Sequence, residues 1–303
     1  MMNKVLCGLV LCLAMQAHGQ SKIIVLGIAQ DGGFPHIGCQ NECQRAWEDP
    51  SLKRFVVSLA VVDEQEKKWW MFEATPDFVP QLQYFSTLTD GEYPYLPEGI
   101  FLTHAHIGHY TGLIQLGREA LGAQEVAVYA LPKMADFLAE NGPWSQLVSL
   151  KNIRLEPLVR DDTISLSEDF QVRTYQVPHR DEYSETAGYQ ILTSERTTLF
   201  IPDIDKWEKW DLDIRDEVAA SDRAFIDGSF FRDGELGTRN MAEIPHPFVA
   251  ETMSLFSESP NEVKSKIYFI HFNHTNPLLW DANARMDVIG AGYNFAIQGK
   301  AYD

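Results

Sequence analysis

Basic residues are scarce in this chain: 25 Lys and Arg stand against 43 Asp and Glu, a formal net charge of −18. A surface of that sign repels a polyanion and has few cations with which to displace the counterions of a phosphate backbone, so nucleic acid is excluded as a partner. Cysteine is sparse too, with four residues, of which Cys7 and Cys12 lie in the N-terminal stretch. Beyond that stretch no apolar run approaches the roughly 20 residues of a membrane-spanning helix, which excludes a membrane anchor in the mature chain. Internal repeats, low-complexity blocks and Gly/Ser-rich linkers are also missing, so nothing in the sequence divides the chain into separate modules.

The N-terminal stretch itself is informative. Lys4 supplies a positive charge, Val5 to Met15 form an apolar run too short for a permanent anchor, and Ala17-His18-Gly19 offers small residues at the positions a signal peptidase requires. Residues 1–19 are therefore expected to be a signal peptide and residues 20–303 one domain, exported to the periplasm or secreted. Only Cys39 and Cys43 then remain, as a disulfide, as half of a small metal site or as free thiols. A hydrophobic content of 45% supports a substantial core.

Apolar, β-branched runs recur at Ile23 to Ile28, Phe55 to Val62, Trp69 to Phe72, Glu125 to Ala130, Phe170 to Val177, Gly188 to Thr193, Thr197 to Ile201 and Lys266 to Phe272. Each has strand length and is bounded by turn formers or charge. Helical stretches fall at Tyr110 to Leu121, Lys133 to Glu140 and Pro247 to Ser257, inserted irregularly among the strands, which predicts a layered α/β domain. Arg232 to Pro247 reads as a long loop. Trp69-Trp70 and Phe230-Phe231 read as core packing.

The densest chemistry lies in Leu102-Thr103-His104-Ala105-His106-Ile107-Gly108-His109, where an apolar strand runs into three histidines and then a helix. In extended backbone, residues two apart project to one side, so His104 and His106 can grip one cation, while His109 points elsewhere and can serve a neighbouring one. Neutral imidazole suits zinc, copper, nickel and iron. Further donors must come from other segments. Three apolar runs end in such donors: Val177-Pro178-His179, Phe200-Ile201-Pro202-Asp203 and Phe269-Ile270-His271.

This order, His-x-His-x-x-His followed by a lone His, a lone Asp and a last His, resembles the metallo-β-lactamase superfamily. With Leu26-Gly27, Gly32-Gly33-Phe34-Pro35, the cysteine pair, Ala74-Thr75-Pro76-Asp77 and His271-Phe272-Asn273-His274-Thr275-Asn276-Pro277, it is similar to the branch of pyrroloquinoline-quinone biosynthesis protein B. The resemblance implies an α/β fold of four layers, an αββα sandwich. It assigns His104, His106 and His179 to one metal and His109, Asp203 and His271 to a second, with Asp203 shared. It implies zinc, as one or two ions, with iron or manganese as alternatives.

One position departs from the pattern: the superfamily carries Asp where this chain has Gly108. Asp31 and Asp205 are conceivable substitutes, though sequence alone brings neither within reach. His36 and His246 have no place in the pattern and read as loop histidines. Asp227 reads either as a support for a ligating histidine or as a turn cap. The expected activity is hydrolysis of a small ester, lactone, amide or phosphodiester, with Asp203 accepting a proton and His274 or Tyr183 facing the developing oxyanion. Metal-dependent oxidation by His109, Asp203 and His271, and non-catalytic metal binding, are the rival readings. The sequence carries no signal of oligomeric state.

Overall fold

The strands form because their side chains have two hydrophobic surfaces to meet. In the computed structural model, which describes residues 21–180, 182–237 and 239–303, they build two seven-stranded sheets packed face to face. The segment expected to direct export, residues 1–19, lies outside the described residues. The first sheet contains β1 (Ser21–Gly27), β2 (Ser58–Asp63), β3 (Lys68–Phe72), β4 (Gly99–Phe101), β5 (Val126–Ala130) and β6 (Ile153–Pro157). The second contains β7 (Thr163–Ser165), β8 (Phe170–Val177), β9 (Thr186–Thr193), β10 (Thr197–Ile201), β11 (Arg223–Asp227), β12 (Ile267–Ile270) and β13 (Asn294–Phe295). The chain then returns to the edge of the first as β14 (Ala301–Tyr302), giving the orders β14-β1-β2-β3-β4-β5-β6 and β13-β12-β11-β10-β9-β8-β7.

Both faces of the first sheet are buried, so its strands read as continuous apolar runs. Along β2, Leu59 and Val61 enter the layer between the sheets while Ala60 and Val62 face outward towards helices. The expected core pair Trp69-Trp70 divides the same way. Trp69 stacks on Phe85 with ring centroids 3.9 Å apart, and Trp70 packs against Phe170 of the opposite sheet at 4.9 Å. Helices Phe78–Leu88, Pro132–Glu140 and Trp144–Ser149 cover the first sheet, and Ile214–Ala220, Val249–Leu255 and Ala282–Gly290 add buried apolar residues to the second. The result is the four-layer αββα sandwich that the resemblance implied. Among the described residues, no helix is long and apolar enough to cross a membrane.

Strand directions decide where a site can stand. β3, β4 and β5 are parallel, and β1 runs with them because two antiparallel pairings separate it from β3. In the second sheet β10, β11 and β12 are parallel, and β8 shares their direction across β9. The carboxyl ends of these strands therefore gather at one edge of each sheet, the usual position for ligands in open α/β sheets. The two edges are stitched together. Ala29, just past β1, bridges Phe272, just past β12, and Gln30 N–H donates to the Phe272 carbonyl at 2.8 Å. Ala187 N–H of β9 donates to the Thr103 carbonyl at 2.9 Å, and the Tyr189 hydroxyl donates to the Leu102 carbonyl.

Two expectations need correction. The helix expected over Tyr110 to Leu121 is instead a short α-helix, Ile107–Tyr110, followed by a 3₁₀ segment, Thr111–Leu116. The chain lies too close to its neighbour for regular helix there: a Cβ on Gly112 would stand 2.1 Å from the Thr75 carbonyl oxygen. The long loop Arg232 to Pro247 contains a 3₁₀ turn, Met241–Glu243, and its Met241 and Ile244 pack with Phe230 and Phe248 into a small cluster of their own. Cys39 and Cys43 are joined as a disulfide, with Cα atoms 5.7 Å apart.

Candidate metal centre

Every donor of the expected site follows the end of a strand. His104, His106 and His109 follow β4, His179 follows β8, Asp203 follows β10 and His271 follows β12. All six converge. His104 Nε2 lies 2.8 Å from His106 Nδ1, which lies 3.3 Å from His179 Nε2. Asp203 closes this group, Oδ2 at 3.4 Å from His104 Nε2 and Oδ1 at 3.3 Å from His179 Nε2. Zinc–nitrogen bonds of about 2.0–2.1 Å at tetrahedral angles put ligand atoms about 3.3 Å apart, so one donor atom from each of the four residues can surround one such ion.

A second group adjoins the first. Asp31 Oδ1 lies 3.3 Å from His109 Nε2 and 3.9 Å from His271 Nε2. Asp203 Oδ2 reaches towards the same two nitrogens at 3.8 and 4.0 Å. The fit of a cation to these residues can be judged from atoms left without partners. Asp31 Oδ1, His109 Nε2, Asp203 Oδ1 and His271 Nε2 are buried and have no hydrogen-bond partner among the described residues. Each such atom costs about 1–3 kcal/mol in an ordinary interior, so these donors fit a cation as their common partner.

The histidines are aimed by hydrogen bonds to their other nitrogens. His104 Nδ1 meets Thr103 Oγ1 at 2.9 Å, His109 Nδ1 meets Glu73 Oε1 at 3.1 Å, and His271 Nδ1 meets Ser229 Oγ at 2.8 Å. His179 Nδ1 meets Asp205 Oδ1 at 3.3 Å, and His106 turns Nε2 outward to Glu182 at 3.2 Å. These partners fix the rotamers and leave the remaining nitrogen pointing inward. One supporting position and one donor are strained: Glu73 and His271 hold φ of 74° and 66°, a region that disfavours side chains by about 1 kcal/mol or more.

Charge is tightly balanced in this space. Burial opposes ionisation of Asp203, yet the imidazoles of His179, His246 and His271 hold its carboxyl well below the usual range. Burial and the neighbouring His109 push His104 well below the ordinary histidine value. His109 moves the other way: burial would lower it, but Glu73 and Asp31 raise it well above. For His179, burial is again outweighed, by Asp203 and Asp205, and the imidazole is pushed up to about 9.

Sequence reasoning left out several members. Glu73, Thr103 and Ser229 support the ligands without any local signal. Asp205, weighed as a substitute donor, instead supports His179. His246, read as a loop histidine, is buried at the centre: its Nδ1 lies 2.9 Å from Asp227 Oδ2 and 3.2 Å from Asp203 Oδ1. The hidden signal was Pro245 and Pro247 on either side of it, which restrict the backbone where the loop folds onto Phe230. Asp203, Asp227 and His246 are also close enough to hold a cation. They are better satisfied by a proton, since Asp227 already accepts from Ser229 N–H at 2.8 Å and Ile204 N–H at 3.1 Å. Asp227 thus both caps a turn and supports a histidine. His274 stacks on His36, ring centroids 4.3 Å apart, and shares no ring contact or hydrogen bond with the ligand histidines among the described residues.

Comparison with known proteins agrees with this architecture. The Beta-lactamase superfamily domain matches residues 68–272. Coenzyme PQQ synthesis protein B of Methylorubrum populi is 25% identical over 93% of this chain and 99% of its own length. The crystal structure of Zn(2+)-bound PqqB from Methylobacterium extorquens superposes with a TM-score of 0.76 at 21% identity, covering 93% of this chain and 99% of that one. A diphosphatase from the PhnP family has a TM-score of 0.64 at 21% identity, covering 93% and 96%. With that match, that fold and a histidine-rich centre at the strand ends, the chain belongs to the beta-lactamase superfamily and resembles its PQQ synthesis protein B branch.

Proposed function

We propose that this protein is a metal-dependent hydrolase of a small ester, lactone, amide or phosphodiester, with zinc as its metal. The observation that carries the reading is the pair of adjoining donor groups with Asp203 between them, and the partnerless donor atoms of the second group. His104, His106, His179 and Asp203 would hold one cation, and His109, His271 and Asp203 would contribute to the other. A divalent cation in such a site lowers the pKa of a water from about 16 towards about 7 and polarises the substrate oxygen.

The chain's own groups do the rest. Asp203 stands between the two donor groups, placed to take up a proton. His246 is the better placed of the flanking histidines to return it: burial would lower its pKa, but Asp227 and Asp203 raise it to about 10. Asp31 and Ile107 line a cavity of about 380 Å³ with Trp47, Lys53 and Arg54. That volume suits a small molecule, with an aromatic wall and two cations to meet an anionic group. A larger cavity of about 720 Å³ beside Trp210 includes none of the donor residues, so its size does not make it the site.

The test is turnover of ester, lactone and phosphodiester probes alongside metal content. Asp203→Ala is expected to lose both together. His246→Asn is expected to keep the metal and lose about 10²–10⁴-fold in kcat, the usual scale for a proton donor. Retention of turnover by Asp203→Ala sinks the proposal. A second reading has one observation in its favour: Asp31, His109 and His271 form a two-histidine, one-carboxylate set of the kind that suits ferrous iron. Iron in the purified protein with substrate-dependent oxygen uptake, and no hydrolysis, would favour it.

A further inference from the structure

We infer that Asp31 is the carboxylate ligand of the second cation, and that Gly108 is glycine because Asp31 fills the space a side chain there would need. The inference rests on the metal centre proposed above and concerns how its second half is built.

Asp31 Oδ1, His109 Nε2 and His271 Nε2 face one another at 3.3 and 3.9 Å, and none of the three atoms has a hydrogen-bond partner among the described residues. His109 and His271 are fully buried, with their other nitrogens committed to Glu73 and Ser229. Their inward nitrogens have no alternative protein partner among the described residues. A carboxylate and two imidazoles left bare around one void are a three-donor set, and Asp203 stands near enough to supply a fourth.

The geometry at Gly108 makes the arrangement exclusive. A Cβ added there would lie 2.1 Å from Asp31 Oδ1, 2.7 Å from Asp31 Cα and 2.9 Å from Asp31 Cγ. A side chain at 108 is thus excluded both by the Asp31 carboxylate and by the backbone that carries it. The position where the resemblance expects an aspartate is blocked by an aspartate arriving from a different strand end.

The backbone explains how Asp31 arrives. The bridge from Ala29 to Phe272 ties the end of β1 beside the end of β12, which carries His271. Gly33 N–H then donates to the Gln30 carbonyl at 2.7 Å, closing a tight turn with Asp31 and Gly32 at its tip. Gly33 holds φ of 70°, which glycine adopts without strain, so the chain can turn away directly after presenting the carboxylate.

The experiment is zinc content per chain, by elemental analysis after zinc loading and gel filtration, with folding followed by circular dichroism. The wild type is expected to hold about two zinc ions per chain. Asp31→Asn, which keeps the volume and removes the charge, is expected to hold about one, and Asp31→Gly likewise. The inference is overturned if the folded Asp31→Asn protein keeps both ions or loses both, or if the wild type binds only one. None of these readouts involves turnover. A chain with two zinc ions, one of them dependent on Asp31, and no hydrolysis would sink the hydrolase reading and leave this one standing.

Discussion

At the scale of single residues, the histidines of the centre each spend one nitrogen on a hydrogen bond and keep the other for the void, and this division makes metal uptake a proton exchange. His179 is the clearest case. Asp203 and Asp205 outweigh the effect of burial and raise it to about 9, so the metal-free chain carries a proton there at neutral pH. A cation can bind only by displacing it. Apparent affinity should therefore rise about tenfold per pH unit between pH 7 and 9 for each proton displaced, and level off above. The metal-free fold should respond in the opposite sense. A folded-state pKa above the ordinary 6.5 contributes stability below that value, which is lost as pH rises through about 9. Calorimetric titration with zinc in two buffers of different ionisation heat would count the protons; an affinity flat from pH 7 to 9 would contradict the assignment.

At the scale of elements, strand ends do the positioning, and they depend on close backbone approach. Gly27 ends β1 where a Cβ would stand 1.9 Å from the Val56 carbonyl oxygen and 2.8 Å from Gln81 Nε2, which itself donates to that carbonyl. Gly27→Ala must push these apart at a cost of about 1–3 kcal/mol, lowering Tm by at least ~2 °C. Because β1 leads directly to Asp31, the same variant should also hold the second zinc less tightly. An unchanged Tm would show that the strand end yields freely. Elements also explain what could be read from the sequence. His104, His179, Asp203 and His271 follow long apolar runs, so their placement at strand ends was visible. β6, β7, β13 and β14 were obscure because each is short, has at most one fully buried residue and is defined by its pairing partners. Helix Phe78–Leu88 was hidden by Pro80, which its first turn tolerates. Asp31 and His246 could not be assigned because the contacts that place them, Ala29 with Phe272 and His246 with Asp203, join segments far apart in the chain.

At the scale of the molecule, two sheets with parallel strand ends at one common edge make a rigid frame, and the aromatic layer between them keeps the edges in register. Phe72 stacks on Phe101 at 4.7 Å and meets Tyr189 and Phe200 of the other sheet edge-on at 5.3 and 5.9 Å. Each such pair contributes about 0.5–1.5 kcal/mol beyond its buried area. The donors come from both sheets, so the cations would also clamp the sandwich together. The surrounding surface, with its net charge of −18, favours cations and disfavours polyanions. The most direct test of this account is anomalous X-ray scattering at the zinc edge from crystals of the zinc-loaded protein. Two peaks about 3.5–4 Å apart are predicted, one among His104, His106 and His179 and one among Asp31, His109 and His271, with Asp203 between them. Peaks located elsewhere, or none at these side chains, would contradict it.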